Sequence, residues 1–185
     1  MGINPINLID LVESFQERVN QHDVEKIMTM FTEDATFEIV GLSKFEGKQQ
    51  VKIIFEYDIG VNTNLQFINC KSEGNTVHCK ILERNDRLDA IGISELEYSS
   101  CIFTFKDGLI KSFAAEIPPD FVEYNSKIMK KFIPWFTENH PDDYSRMFMP
   151  DGRFIYNREN GRDVVPLLRK WRMKNGDKNS NYSRC

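Results

Sequence analysis

The feature that most constrains this chain is a change of hydrophobic period at Glu33 and Asp34. Before it, Leu8, Leu11, Val12, Phe15 and Val19 repeat at helical spacing, and Val24, Ile27, Met28 and Phe31 do so again after a capping residue, Asp23. After it, Ala35, Phe37 and Ile39 alternate with Thr36, Glu38 and Val40, the period of a strand with one buried side. The pattern predicts a first helix, capped at Asn4 with Pro5 in its first turn and running to about Asn20, then a short second helix and a strand. Gly47 opens a third amphipathic segment carrying Val51, Ile54 and Phe55, and Gly60 is placed to stop it.

From Leu65 onward period two dominates. "LQFINCK", the turn "SEGN", "TVHCKILER", a break at "NDRLDAIGI", "SELEYSSCIFTF", the turn "KDG" and "LIKSFAAEI" follow in order. Helices first and strands afterwards imply an α+β fold, with helices on one face of a curved antiparallel sheet. Pro118 and Pro119 close that sheet. Beyond them Phe121, Tyr124, Ile128, Phe132, Trp135 and Phe136 form a helical stripe that Pro134 is expected to kink or break. A short helix around Tyr144, Met147 and Phe148 and a last one carrying Val164, Leu167, Leu168 and Trp171 complete the pattern. Such stripes need burial against the main domain. The expected division is a domain over 1–117, a helical extension over 118–175 packed on it, and a polar, flexible tail over 176–185.

The formal net charge of -4 argues against nucleic acid or an anionic membrane as partner. No run approaches the roughly 18 apolar residues of a membrane span, and "MGINPINLID" has neither the basic region nor the apolar core of a signal peptide. Position 6 is Ile6 rather than the Ser or Thr of a myristoylation signal, so the expected setting is cytoplasmic. Cys70, Cys79, Cys101 and Cys185 lack C-x-x-C spacing and the three histidines, His22, His78 and His140, lie far apart; neither a metal site nor a cofactor is expected. The strand cysteines read as free thiols. Cys70 and Cys79 flank a turn, but no disulfide is assigned to them.

"NQHDVEKIMTMFTEDATF" (20–37), the single Gly47 and "FTFKDGLIKSF" (103–113) resemble the nuclear transport factor 2-like superfamily, including its SnoaL-like members, over about residues 6–117. The resemblance implies a sheet wrapped around three helices into a cone, an internal pocket, and a homodimer formed through the outer sheet face. "FIPWFTENHP" and "FIYNRENGRDVVPLLRKW" resemble an extension found in uncharacterised bacterial and archaeal members.

Two enzyme patterns within that superfamily can be compared. Aligned with ketosteroid isomerases, Ile39, or Glu38 after a one-residue slip, falls at the aspartate base, Phe15 at the oxyanion-hole tyrosine and Cys101 near its aspartic acid partner. Neither oxyanion donor is kept, so that activity is not expected, and Glu38 reads as a solvated strand carboxylate. "ERND" (83–86) is similar to the "ERVD" of limonene epoxide hydrolases, which places Arg84 and Asp86 at two of three roles. The water-activating aspartate aligns with Ala115, beside an oppositely pointing Glu116. The phase of Val77, Cys79 and Ile81 turns Glu83 and Asn85 inward and Arg84 and Asp86 outward unless a bulge intervenes. Asp86 is then expected to cap the short turn that ends at Gly92.

His78 reads as exposed, Glu95 and Glu97 as sharing a face with Cys101 and Phe103, and Arg169, Lys170, Arg172 and Lys174 as the solvated side of the last helix. Three functions fit. One is a binder of a small hydrophobic molecule, with core or pocket walls drawn from Phe15, Phe31, Phe37, Ile54, Phe67, Phe103 and Phe113. Another is a SnoaL-like lyase, isomerase or hydrolase with Glu83 as acid or base and Asn85 orienting it. The third is an interaction module without a cavity, using the sheet face and Trp135, Phe136 and Trp171.

Overall fold

Asn7 starts the first helix in the computed structural model, which describes residues 7–175; Asn4, Pro5 and the tail from Gly176 lie outside the described residues. The Asn7 side chain accepts from the Ile9 amide at 3.1 Å and leads α1 (Leu8–Asn20). Asp23 caps α2 (Val24–Met28) by accepting from the Lys26 amide at 3.2 Å. Phe31 does not continue that helix as its spacing predicts. It opens β1 (Phe31–Ile39), because the Met30 carbonyl already accepts from the Ile110 amide across the sheet.

The chain continues through β2 (Ser43–Glu46), which the pattern did not predict, α3 (Lys48–Gly60), β3 (Asn64–Glu73), β4 (Thr76–Arg84) and α4 (Asp86–Ala90). Then come β5 (Leu96–Glu97), β6 (Ser100–Lys106), β7 (Leu109–Glu116), α5 (Pro119–Asn139), α6 (Pro141–Met147) and α7 (Arg158–Asn175). The sheet runs β2-β1-β7-β6-β4-β3, with β5 joining β4. Its pairs are antiparallel apart from β1 with β7, which are parallel, so the α+β cone is built on a mixed sheet.

Register explains which face is core. Phe45, Phe37, Phe113, Phe103 and Val77 are successive cross-strand partners and form one inward row. The row beside it, Lys44, Glu38, Ala114, Ile102 and His78, faces outward, which places Glu38 away from the core. Phe15 from α1 and Phe55 from α3 fill the concave side.

Several local expectations change for physical reasons. The segment from Leu96 to Lys106 is two strands, and the break between them resets the phase. Leu96 and Tyr98 turn inward, as do Cys101 and Phe103, while Glu97 bonds Lys80 at 2.8 Å and Glu95 pairs with Arg84 at 2.7 Å. Asn85, not Asp86, caps α4: its Oδ1 accepts from the Leu88 amide at 2.7 Å. A register shift between Ile68 and Lys71 brings Cys70 against Cys79, and the two form a disulfide rather than free thiols. The helix α5 runs through Pro134 to Asn139. Proline removes one helix bond there, but Phe132 and Phe136 on either side are wholly buried and stacked at 5.2 Å, which holds the turn together.

The C-terminal helices build a second apolar cluster. Phe132, Phe136, Met147, Leu168 and Trp171 pack with Val61, Leu88, Ile91 and Leu96 of the sheet-forming part. There α7 crosses α3 at close range. Gly60 ends α3, and a Cβ on it would stand 2.2 Å from the Arg158 carbonyl oxygen; one on Gly161 would stand 2.9 Å from that of Tyr57. Among the described residues, no helix is long and apolar enough to cross a membrane.

Replacing Gly60 by Ala must therefore push backbone against backbone. The expected cost is about 1–3 kcal/mol, read as a fall in thermal midpoint of several degrees. Alkylation of the denatured, unreduced protein should leave Cys70 and Cys79 unlabelled and label Cys101.

Candidate functional site

Inside the cone, the packed aromatic floor gives way to a cavity of about 170 Å³. Its walls are mostly apolar: Phe37, Ile54, Leu65, Ile81, Phe113 and Ala115 come from the helix and the sheet, and Phe121 and Tyr156 from the C-terminal part. Polar groups enter at a few points, Asp58 from α3, Glu83 and Asn85 from the end of β4, Arg87 from α4 and Tyr98 after β5.

Glu83 is the centre of this polar group. Alternation along β4 buries Val77, Cys79 and Ile81, and it carries Glu83 inward to 9% exposure. The Tyr98 hydroxyl donates to Glu83 Oε2 and the Asn85 side-chain amide to Oε1, each at 2.5 Å. Asn85 thus serves twice, capping α4 through its oxygen and holding Glu83 through its nitrogen. Burial raises the Glu83 pKa from its ordinary value, although both donors and the more distant Arg87 favour the anion.

Asp58 shares the cavity. It keeps some accessible surface, yet it stands deep in the wall, where protein rather than bulk water sets its electrostatics. Burial pushes its carboxyl well above the usual range, and the Glu83 carboxylate pushes the same way; the neighbouring Thr63 opposes both. Burial likewise raises the Tyr98 and Tyr57 hydroxyls, so both remain protonated donors at neutral pH. Arg87, half-buried, donates from Nη2 to Asn125 Oδ1 at 2.7 Å and lies 3.9 Å from the Met129 sulfur.

The sequence-derived candidates are distributed unevenly around this site. Glu83 and Asn85 line the cavity, with Phe37, Ile54 and Phe113. Phe15, Phe31 and Phe103 are wholly buried in the core, and Phe67 packs half-buried against it. Arg84 faces outward to Glu95, and Asp86 lies 3.5 Å from Arg169 of α7, so the epoxide-hydrolase pattern is not assembled around "ERND". Ala115 does line the cavity, without a carboxyl group to offer. Ile39 lines it too, while Cys101 is buried and its thiol is raised by burial.

Asp58, Tyr98 and Arg87 are the functional candidates that sequence reasoning missed. For Asp58 a signal existed: it lies four residues after Ile54 and three after Phe55, on the stripe that α3 turns inward. Among the described residues, no cluster of His, Cys, Asp and Glu is arranged to hold a metal ion.

The raised carboxyl groups fix a sign for pH dependence. Above the ordinary Glu value of 4.5 the unfolded chain loses the Glu83 proton while the folded protein keeps it. Stability should therefore fall as pH rises through that window, up to the folded value. Glu83→Gln and Asp58→Asn should each flatten the fall, and urea midpoints at pH 5 and pH 8 would show whether the gap from wild type widens at the higher pH.

No protein-family model and no curated protein matches the chain. Solved structures do. The epoxide hydrolase/cyclase-like enzyme SalBIII, described with a role in pyran ring formation in the polyether salinomycin, is similar with a TM-score of 0.54 at 21% identity, over 60% of this chain and 89% of that one. A nuclear transport factor 2-like protein of unknown function from Cytophaga hutchinsonii gives 0.53 at 17%, over 66% and 99%. An LEH-like epoxide hydrolase from M. tuberculosis gives 0.51 at 17%, over 60% and 77%. With the curved sheet enclosing the helices, these matches show that the chain has the nuclear transport factor 2-like fold.

Proposed function

We propose that the cavity binds a small, largely apolar molecule and moves protons on it, with Asp58 and Glu83 as an acid–base pair. The observation that carries this reading is the convergence of two carboxyl groups, from α3 and β4, on one mostly apolar cavity. Two like charges in such a space cannot both ionise easily, so the pair shares a proton over part of the pH range. Glu83 has two donors at 2.5 Å and Asp58 has none comparable, which makes Glu83 the carboxylate and Asp58 the acid.

A division of labour follows. Asp58 donates its proton to an oxygen of the bound molecule as a carbon–oxygen bond breaks. Glu83 takes a proton from the incoming hydroxyl, of water or of the substrate itself, as the new carbon–oxygen bond forms. One proton is given and one received, and exchange between the carboxyls restores the starting state. Tyr98 and Asn85 hold Glu83 in place. Solved relatives described as epoxide hydrolase/cyclase-like and as an epoxide hydrolase share the fold, which supports a reaction at such a bond.

The expected homodimer would use the outer sheet face, where Ile102 lies between His78 and Ala114 in register. Sedimentation of Ile102→Glu against wild type tests it: a dimer should become a monomer. A cytoplasmic setting would keep Cys70 and Cys79 reduced, so trapping thiols before cell lysis reports the compartment's redox state.

Native mass spectrometry of the freshly purified protein, with extraction of any bound molecule, comes first. A small apolar compound at one copy per chain is the expected result, and it becomes the substrate for testing variants. Glu83→Gln and Asp58→Asn should each lower kcat by about 10²–10⁴-fold while leaving ligand affinity little changed. Wild-type turnover in both would overturn the acid–base assignment.

A further inference from the structure

A second cavity, of about 480 Å³, adjoins the first. Tyr57, Arg87, Phe121 and Tyr156 appear in the walls of both, so these side chains form the junction. Beyond it the walls come largely from the C-terminal helices, with Val122, Met129, Val164 and Leu168 supplying apolar surface. Arg87 is the one charged side chain among the described residues that line this outer cavity, and the one cation lining the inner cavity.

The contacts of Arg87 leave it short of acceptors. A guanidinium carries five N–H donors. Among the described residues only Nη2 is engaged, by the neutral Asn125 amide oxygen and the Met129 sulfur, and no carboxylate stands within ion-pairing distance. Of the two carboxyl groups that share the inner cavity with it, Glu83 uses its oxygens on Tyr98 and Asn85, and Asp58 likewise stands outside ion-pairing distance. A half-buried cation with no carboxylate in direct contact, only the more distant Glu83, is poorly compensated, and a planar carboxylate is the partner whose geometry matches the free edge of the guanidinium.

We infer that the ligand of this cavity system is an elongated apolar carboxylate, its carboxylate paired with Arg87 at the junction and its apolar body lying along the two cavities. The inference rests on the small-molecule reading above and adds the substrate class. Asn125 occupies Nη2 and leaves the remaining donors of Arg87, which lines both cavities, for the ligand. The C-terminal helices thereby enclose part of the ligand, and the inner carboxyl pair acts on a portion of the molecule away from its charged end.

Calorimetric titration of the full chain with decanoate and with decanol at neutral pH tests this, since the two probes share length and differ in charge. Decanoate should bind more tightly. Arg87→Met should weaken decanoate by about ten-fold or more, the scale of losing a bidentate charge-assisted pair, while decanol stays within about three-fold. Arg87→Lys, which keeps the charge and loses the planar fork, should fall between the two.

If decanol binds and decanoate has no advantage, or if decanoate is indifferent to Arg87→Met, the carboxylate assignment is wrong and the small-molecule reading stands. Should neither probe bind the wild-type protein, both fall together. Where Arg87→Met fails to fold, the wild-type comparison and Arg87→Lys decide the question.

Discussion

Phe103 and Phe113 stack on neighbouring strands with ring centroids 4.6 Å apart, and the cone is organised around that pair. Phe15 meets both rings edge-on at 5.5 and 5.9 Å, which seats α1 on the sheet. Phe37 meets Phe113 at 5.1 Å and carries the row onto β1, where the strands run parallel. A one-residue slip of any of these strands would turn its share of the row outward, so the rings specify register as well as supplying apolar burial of about 1.5–3 kcal/mol apiece. The cavity follows from where the row ends. Two residues beyond Phe113 on β7 stands Ala115, and two beyond Ile81 on β4 stands Glu83, so large side chains give way to a small one and a polar one.

That change carries an energetic burden. An isolated buried carboxylate is strongly disfavoured, and the protein meets this in two ways, by donors and by protonation. Asn85 and Tyr98 do the first for Glu83. Both are held from elsewhere, Asn85 by its capping bond to the Leu88 amide and Tyr98 by its backbone bond to the Ile81 carbonyl. A carboxyl group fixed this firmly has few rotamers to explore. Asp58 lacks a comparable pair of donors, and burial pushes its carboxyl well above the usual range. The two environments separate the two groups in acidity, the property that an acid–base pair requires.

Much of this was legible in the residues themselves, and the failures share a cause. The inward phase of Glu83 and Asn85 and the outward phase of Arg84 could be read because β4 is regular from Val77 to Arg84. Tyr98 could not, because the break between β5 and β6 resets a phase that one continuous strand would keep. Phe31 has helical spacing from Ile27, yet the sheet claims the backbone at Met30, a long-range bond that local periodicity does not contain. The Cys70–Cys79 pairing depends on a register shift at Ile68 that no spacing rule reports. Asp58 was readable in principle. An acid late in an amphipathic helix ordinarily meets solvent, and only the packing of later helices around α3 turns that position into the interior.

This last point ties the C-terminal helices to the cavity. At the crossing of α3 and α7, Gly161 lies against the carbonyl of Tyr57, and the Arg158 guanidinium bonds Glu56 at 2.7 Å. Tyr57 borders both cavities and Asp58 follows it directly. The end of α3 is thus clamped on the residues that hold the inner carboxyl group, by backbone contact on one side and an ion pair on the other. An exposed pair of that kind contributes little by itself, so the orienting force must come mainly from the glycine contact and the apolar cluster beneath it. Displacing α7 would move Asp58, Tyr57 and the Tyr156 wall together. The extension therefore acts on the cavity through the helix it grips, in addition to the surface it covers.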